Sequence, residues 1–174
     1  HVVIKGNNGS GKSTFGKLLV GATDATDGDM VWACDGEQID IDDIPQRIAW
    51  SAPFMEVPEE MKISEIIDFH SNFREGWSPN SFINLLNNSG LKSNSEAQIK
   101  TLSSGQKQRL RLILAMGTKA ELVVLDEPCS NLDSSGIQWY GEELLNLVGK
   151  TTVVVCSNNR PEEHLGNAAK IHLG

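Results

Sequence analysis

Nine consecutive residues near the start of the chain fit the phosphate-binding pattern G-x-x-x-x-G-K-[ST]. Three glycines permit backbone conformations that a Cβ would block, so successive N–H groups can face one anionic centre. The lysine can reach the β- and γ-phosphates of a nucleotide, and the next hydroxyl can ligate Mg²⁺. The alternative is a turn that binds nothing. The candidate nucleotide-binding residues are Gly6, Asn7, Asn8, Gly9, Ser10, Gly11, Lys12, Ser13 and Thr14, with Ser13 also a candidate metal ligand.

Two adjacent carboxylates, Asp126 and Glu127, follow the apolar run 121–125. Open α/β sheets place their ligands at the carboxyl ends of strands, so Asp126 can hold Mg²⁺ beside Ser13, directly or through water. Adjacent residues at a strand end point in different directions, so Glu127 can polarise a water that attacks a γ-phosphate. Glu127 is therefore the candidate catalytic base. A pair of solvated acids is the alternative interpretation.

The elements that must position these residues can be predicted from apolar periodicity and turn residues. Strands are predicted at 2–4, 30–34, 48–51, 121–125 and 151–156, and helices at 14–20, 102–117 and 136–148. Asp35-Gly36 indicates a hairpin, and residues 40–45 are predicted to be a loop. Strands that alternate with helices indicate an α/β fold, a mostly parallel sheet flanked by helices.

Between the predicted strands, the segment 54–100 has helical character. One helix is predicted with Ser64 as its N-cap, and a second is predicted to open at Ser78-Pro79 and to stop at Gly90. A polar loop is predicted over 87–98. The segment is interpreted as a small helical subdomain inserted before residue 101. Its aromatic residues are expected in the core by default, although some could line a groove for a partner. With the nearby Trp50 they are Phe54, Phe69, Phe73 and Trp77.

Composition and charge limit the possible functions of this 174-residue chain. The formal net charge of −8 argues against a general nucleic-acid or anionic-membrane surface, since both need excess Lys and Arg. No apolar run is long enough to span a bilayer. Three cysteines without a C-x-x-C pair favour a reducing cytosol. Since the first strand begins at the first residue, we expect one N-terminally incomplete domain over 1–174, with core 1–53 and 101–174 and insertion 54–100.

Four segments occur in the order found in ABC-type ATPase domains, and the chain resembles that family over nearly its whole length. Segments 6–14, 102–106, 122–128 and 130–133 resemble its Walker A, signature, Walker B and D-loop motifs. The L-S-x-G-Q element separates this family from other phosphate-loop NTPases. The resemblance implies a P-loop NTPase fold, ATP and Mg²⁺ as ligands, and hydrolysis of ATP.

The resemblance also implies a nucleotide sandwich, in which two such domains, identical or different, pair head to tail. ATP on one phosphate loop would be capped by the partner's signature residues, namely Ser103, Ser104, Gly105 and Gln106. Asp133 would lie at the dimer seam. The helical insertion would receive the transmembrane permease subunit of a transporter. The domain would then lie at the cytoplasmic face of a bacterial inner membrane without entering it, and no nucleic-acid partner is expected.

Two positions depart from the family pattern near the γ-phosphate. The signature has Ser104 where a glycine is usual, which is a mild change. The family's switch histidine aligns with Asn158. Asparagine can hydrogen-bond a phosphate but carries no charge near neutral pH, as histidine can. Slow or partner-dependent hydrolysis is therefore a hypothesis.

Two further family residues are missing. Ala52-Pro53 replaces the glutamine expected after the strand 48–51, with Gln46 and Glu56 as candidate substitutes. The aromatic that stacks on adenine in the family lies upstream of the phosphate loop, and we expect this chain to begin too late to include it. Trp32 and Trp50 are weak substitutes for it.

Three functions remain open. The leading interpretation is the ATP-hydrolysing subunit of a membrane transporter. The second is a soluble, non-transport ABC ATPase of the translation-factor type. The coiled-coil DNA-repair type is disfavoured, because fewer than a hundred residues separate Lys12 from Gly105. The third is a low-turnover switch that dimerises on ATP, which Asn158 and Pro53 favour and Glu127 opposes.

Overall fold

Strands and helices alternate along the chain in a computed structural model that describes residues 1–74 and 79–174. The helices are α1 (Lys12–Leu19), α2 (Ile44–Arg47), α3 (Ile63–Phe73), α4 (Pro79–Asn88), α5 (Ser104–Met116) and α6 (Ser134–Leu147). The strands are β1 (Val2–Lys5), β2 (Trp32–Cys34), β3 (Glu37–Ile39), β4 (Ile48–Ser51), β5 (Leu122–Asp126), β6 (Thr152–Ser157) and β7 (Ala169–His172). The predicted α/β fold is confirmed.

The main sheet of the described residues has five strands in the order β4-β5-β6-β1-β7, and every neighbouring pair is parallel. The central strands β5 and β6 pair with Val124 opposite Val154. Parallel strands place all their carboxyl ends at one edge of the sheet. That edge therefore collects the residues that follow β1, β5 and β6.

Both faces of the central part of the sheet are buried, because successive residues of β1 and β5 belong to different hydrophobic clusters. In β1, Val3 packs in the larger cluster and Ile4 in the smaller one; in β5, Val123 and Val124 divide in the same way. Each strand of a parallel sheet that is covered on both faces has a nearly continuous apolar sequence, as residues 121–125 have. The smaller cluster includes residues of α1 and α2, and the larger one includes those of α5 and α6.

The inserted helices α3 and α4 pack on α5. Ile63 of α3 and Phe82 of α4 are fully buried and share the larger cluster with Val123 of the sheet. The insertion is thus continuous with the core of the sheet. Its treatment as a subdomain over 54–100 stays a prediction.

Several predicted boundaries were wrong. Residues 40–45 are not a plain loop, because a 3₁₀ turn (Ile41–Asp43) runs into α2. Ser64 is not the N-cap of α3, which begins at Ile63 after Lys62, whose backbone N–H donates to Glu65 Oε2 at 2.8 Å. The loop over 87–98 contains the end of α4 and a 3₁₀ turn (Lys92–Asn94). The hairpin at Asp35-Gly36 is confirmed, because β2 and β3 on either side of it pair antiparallel. The strand β7 was not predicted.

The aromatic residues around the insertion are less buried than expected. Phe54, Phe69 and Phe73 are 50%, 50% and 63% exposed. The Trp50 and Phe54 rings meet edge to face, with centroids 5.3 Å apart. Core burial is therefore wrong for the three phenylalanines, and the groove interpretation stays a prediction. Trp77 and the predicted helix start at Ser78 lie outside the described residues.

In the described part of the chain, no helix has the length and apolar character needed to cross a membrane.

Candidate active site

The sheet brings together three of the predicted site segments. The phosphate loop follows β1, the pair Asp126-Glu127 ends β5, and Asn158 follows β6. Because β6 lies between β5 and β1, with Asp126 opposite Cys156 and Lys5 opposite Ser157, the three segments leave the sheet side by side. This is the edge at which open α/β sheets bind their ligands.

The phosphate loop has the backbone conformation that its glycines were predicted to permit. Gly9 and Gly11 have φ angles of 82° and 94°, in the left-handed region that L side chains rarely adopt. A Cβ on Gly6 would lie 2.3 Å from Ser10 Oγ. The Phe15 N–H donates to the Gly11 carbonyl at 2.8 Å, so α1 starts directly from the loop. The positive end of α1 therefore lies at the loop.

Lys12 is almost fully buried, with 5% of its surface exposed. Its Nζ donates to the carbonyl oxygens of Gly6 and Asn7, at 2.9 and 2.8 Å. A buried ammonium needs such partners, because desolvation without hydrogen bonds is costly. The lysine is thus held at the centre of the loop.

Asp126 and Ser13 form a pair of oxygen donors suited to a small divalent cation. Asp126 is 2% exposed, and its Oδ1 is buried without a hydrogen-bond partner. Burial raises the pKa of its carboxyl, a hydrogen bond with Ser13 lowers it, and the charge of Glu127 raises it. Mg²⁺ prefers one or two protein oxygens completed by waters and substrate phosphates, so this donor set fits it.

Glu127 is half-buried and has a positive φ of 43°. Its backbone N–H donates to the Cys156 carbonyl at 2.9 Å, and its Oε2 accepts from Ser130 Oγ at 3.3 Å. A non-glycine residue in this conformation costs free energy, and such strain is concentrated at functional sites. The backbone turns at Glu127, so the side chains of Asp126 and Glu127 point in different directions. The two carboxylates can therefore have separate roles.

The signature segment forms the capped start of α5. Ser103 Oγ accepts from the Gln106 N–H at 3.2 Å, and Gln106 Oε1 accepts from the Ser103 N–H at 2.9 Å. This reciprocal capping box fixes the N-terminus of α5. A Cβ on Gly105 would lie 2.8 Å from the Asn131 carbonyl oxygen. Glycine at 105 thus allows the signature and the D-loop to touch.

Asp133 of the D-loop caps α6 and pairs with the signature helix. Its Oδ1 accepts from the Gly136 N–H at 2.8 Å and from Ser135 Oγ at 3.0 Å, and it pairs with Arg109. The Gly136 N–H, the Ser135 hydroxyl and Arg109 all lower its pKa. The side chain remains 69% exposed. The role of Arg109 was not predicted from the sequence. The only available signal for it was a charged residue within the helix that follows the signature.

The signature segment and the phosphate loop do not form a single site in one chain. Among the described residues, the signature borders a surface groove of about 650 Å³ together with Asn131, Asp133 and the turn Ser89–Leu91. The phosphate loop lies instead at the carboxyl end of β1. The signature and the phosphate loop therefore border different parts of the described surface.

The residues considered as substitutes for missing family positions lie at different places. Gln46 precedes β4, at the opposite edge of the sheet from the site, and its Nε2 donates to the Phe73 carbonyl at 2.9 Å. Gln46 is therefore wrong as a substitute. Glu56 is exposed on the carboxyl side of β4 and stays a candidate. Trp32 donates to the Leu19 carbonyl at 2.8 Å, at the far end of α1 from the loop, so it is badly placed to stack on adenine.

Asn158 is half-buried at the end of β6, between the phosphate loop and Glu127. Ser157 before it is fully buried and donates through Oγ to Glu163 Oε2 at 2.6 Å. Sequence reasoning missed Glu163, because nothing in the polar stretch 157–164 marks one acid as buried.

Comparisons with known proteins agree with this geometry. A model of the ABC transporter family matches residues 1–130. An ATP-binding cassette sub-family F member 3 homologue of Encephalitozoon cuniculi is 32% identical over 89% of this chain, which spans 25% of that relative. The lantibiotic transport ATP-binding protein SrtF of Streptococcus pyogenes is 29% identical over 93% of this chain and 70% of that protein.

A solved dimeric ATP-binding cassette, in a post-hydrolysis state with ADP and Pi, shares the fold. Its TM-score is 0.77 at 22% identity, over 99% of this chain and 80% of that one.

Proposed function

This chain belongs to the ABC transporter family, and on that premise we propose that it drives a membrane transporter through ATP-dependent pairing of two such domains, head to tail. Family membership makes it an ATP-binding domain and an ATPase of the ABC type. The pairing, the partners and the transport step are the proposal.

One observation carries the proposal: the signature segment is pre-formed, and it lines a groove that the phosphate loop of its own chain does not border. The capping box of Ser103 and Gln106 holds the N-terminus of α5 beside an open groove. A helix N-terminus with glycine and serine donors attracts an anion. A second copy or a related domain could supply the ATP phosphates to Ser103, Ser104 and Gly105. Without that second domain, these donors have no substrate.

Chemistry at the carboxyl edge follows from the side chains present. Lys12 and the loop N–H groups would neutralise the phosphates of bound ATP. Ser13 and Asp126 would hold Mg²⁺, which supplies charge neutralisation on the phosphate oxygens. Glu127 would accept a proton from the attacking water, as a general base in hydrogen-bond reach of it. Asn158 would donate to the γ-phosphate from its other side.

The proposed permease site is the apolar groove beside the insertion. Met55, Val57 and Ile66 line this groove. Three exposed phenylalanines, Phe54, Phe69 and Phe73, belong to the same insertion. Such apolar surface on a protein marks an interaction site. SrtF, by its name, serves lantibiotic transport, and a transport role is proposed here by that similarity. The domain would then work at the cytoplasmic face of a membrane.

A low-turnover switch is the second candidate function, and one departure favours it. Asn158 stands at the position where the family pattern has histidine, and it lies next to the reacting edge. A domain that binds ATP and dimerises, but hydrolyses slowly, would act as a timer or sensor. A translation-factor type of ABC ATPase would share the sandwich but need no permease.

The deciding experiment measures ATP turnover and ATP-induced dimerisation of the full-length parent protein beside its Glu127→Gln variant. We expect the variant to lose turnover and to accumulate as an ATP-bound dimer in sedimentation. Glu142→Gln, an exposed glutamate on α6, is the matched control and should behave as the parent does. If the parent dimerises on ATP but has no turnover that Glu127→Gln abolishes, the switch function is favoured. Absence of ATP-dependent dimerisation would overturn the proposal.

A further inference from the structure

A buried carboxylate lies behind the candidate active site, in a part of the molecule that the proposed mechanism does not use. Glu163 is 0% exposed, and its Oε1 is buried without a hydrogen-bond partner. It sits in the 3₁₀ turn Pro161–Glu163 that follows β6. Burial of a carboxylate is costly unless hydrogen bonds or opposite charges compensate for it, so the contacts of Glu163 need explanation.

Glu163 is bonded to the end of the strand that carries the switch position. Its Oε2 accepts from Ser157 Oγ at 2.6 Å, and Ser157 immediately precedes Asn158. Ser157 Oγ in turn accepts from the Arg160 N–H at 3.2 Å. The Glu163 N–H also donates to the Arg160 carbonyl at 3.2 Å, so these three residues close a small hydrogen-bonded ring next to Asn158. Hydrogen bonds in such a chain polarise and strengthen one another.

The same turn is also bonded to the segment that follows Glu127. The backbone N–H of Cys129 faces the Glu163 carboxylate and stabilises its charge. Arg160 Nη1 donates to the Cys129 carbonyl at 3.2 Å, and Cys129 Sγ donates to the Glu162 carbonyl at 3.8 Å. From α6, the Tyr140 hydroxyl donates to the Glu163 carbonyl at 2.8 Å. The turn is thus fixed to both strand ends that border the reacting edge.

We propose that Glu163 is a positioning residue for ATP hydrolysis, whose carboxylate holds Asn158 and the segment after Glu127 in register. This inference rests on the proposed roles of Asn158 and Glu127. Glu163 does not touch the substrate. It acts through Ser157 on one side and through Cys129 on the other.

The ionisation of Glu163 gives this role a measurable signature. Burial is the main cause that raises the pKa of Glu163 to about 7, and the charge of Glu127 adds to the rise. The rise is opposed by the Ser157 hydrogen bond, the Arg160 charge and the Cys129 N–H. The buried groups Cys129 and Tyr140 both have raised pKa values, so they stay neutral in this range. The Ser157 hydroxyl and the Cys129 N–H both favour the ionised carboxylate, and a proton on Glu163 weakens both interactions. The ring is therefore complete above pH 7 and weakened below it.

The test compares steady-state ATP turnover of the full-length protein and its Glu163→Gln variant between about pH 6 and about pH 8. Glutamine has the shape of the protonated acid and cannot ionise. We expect the ratio of wild-type to variant turnover to rise by about tenfold across this range, a change that one hydrogen bond to a charged group can supply. Glu142→Gln, at an exposed site on α6, should keep the wild-type profile.

A second variant keeps the test decisive if Glu163→Gln folds poorly. Ser157→Ala removes the donor that lowers the pKa of Glu163, so its turnover should rise at higher pH than in the wild type. One outcome overturns the role of Glu163 alone: Glu127→Gln abolishes turnover, but the wild type, Glu163→Gln and Ser157→Ala share one pH profile. The proposed function then still stands. If Glu127→Gln does not lower the turnover, both the proposed function and the role of Glu163 are overturned.

Discussion

Arg109 of the signature helix pairs with Asp133 of the D-loop, and the same guanidinium donates to the Ser89 carbonyl at 2.6 Å. One side chain therefore joins α5, the start of α6 and the turn after α4. The Arg109 side chain is 17% exposed and that of Asp133 is 69% exposed. Asp133 is held in place yet remains accessible, which the proposed dimer requires of it.

Replacing Arg109 with methionine should weaken both the fold and the dimer. The Ser89 carbonyl would lose a charged donor, and we expect the free energy of unfolding to fall by about 2 kcal/mol. Asp133 would lose its orientation, so ATP-induced dimerisation should need more ATP. Denaturant unfolding and sedimentation measure the two effects. Arg47→Met, which breaks the exposed pair with Glu121, should change stability by less than about 1 kcal/mol.

A methyl group at Gly105 should separate the signature from the D-loop. Its Cβ would meet the Asn131 carbonyl oxygen at 2.8 Å, a backbone atom that cannot move alone. We expect Gly105→Ala to lower stability by about 1–3 kcal/mol and to reduce ATP-dependent dimerisation. Gly141→Ala is the matched control, because a Cβ there meets no atom within 4 Å and alanine favours a helix. Equal effects of the two changes on dimerisation would contradict the prediction.

Much of this arrangement could be predicted from the sequence, because the signals were local. Apolar runs ending in glycine or in acids defined β1 and β5, and the carboxyl-edge rule then placed Asp126 near the phosphate loop. Contacts between distant segments left no such signal. Arg109 with Asp133, and Glu163 with Ser157, are brought together only by the packing of helices on the sheet. The short strand β7 (Ala169–His172) is exposed throughout, so it lacks the apolar pattern of a buried strand.

Restoring histidine at the switch position should raise turnover. Asn158 lies beside the reacting edge but cannot carry a positive charge near the γ-phosphate. We expect Asn158→His to increase the turnover number by about tenfold or more, within the range that a positioned acid or base contributes. Asn159→His, one residue further along at an exposed site, should leave turnover unchanged. An unchanged rate in Asn158→His would show that position 158 does not limit hydrolysis.

Removing the charge of Asp126 should stabilise the nucleotide-free protein and impair its function. The carboxylate is buried with an unpaired Oδ1, and burial raises its pKa, so its ionisation opposes folding at neutral pH. We expect Asp126→Asn to raise the melting temperature without nucleotide. In the wild type, chelation of Mg²⁺ should weaken ATP binding, whereas the variant should bind ATP weakly with or without Mg²⁺. Calorimetry of ATP binding with and without a chelator measures this difference.

Glu163 should also make the stability of the protein depend on pH. Its pKa rises from 4.5 to about 7 on folding, so its stabilising contribution is full below pH 4.5 and is lost as the pH rises through 7. At ~1.4 kcal/mol per pH unit between the two values, ionised Glu163 costs about 3 kcal/mol above pH 7. Glu163→Gln should therefore unfold at a higher temperature than the wild type at about pH 8 and at a similar temperature at about pH 4. Glu162→Gln, at an exposed site, should match the wild type at both. A Glu163→Gln variant that is less stable than the wild type at about pH 8 would show that the Ser157 and Cys129 contacts outweigh the burial of the charge.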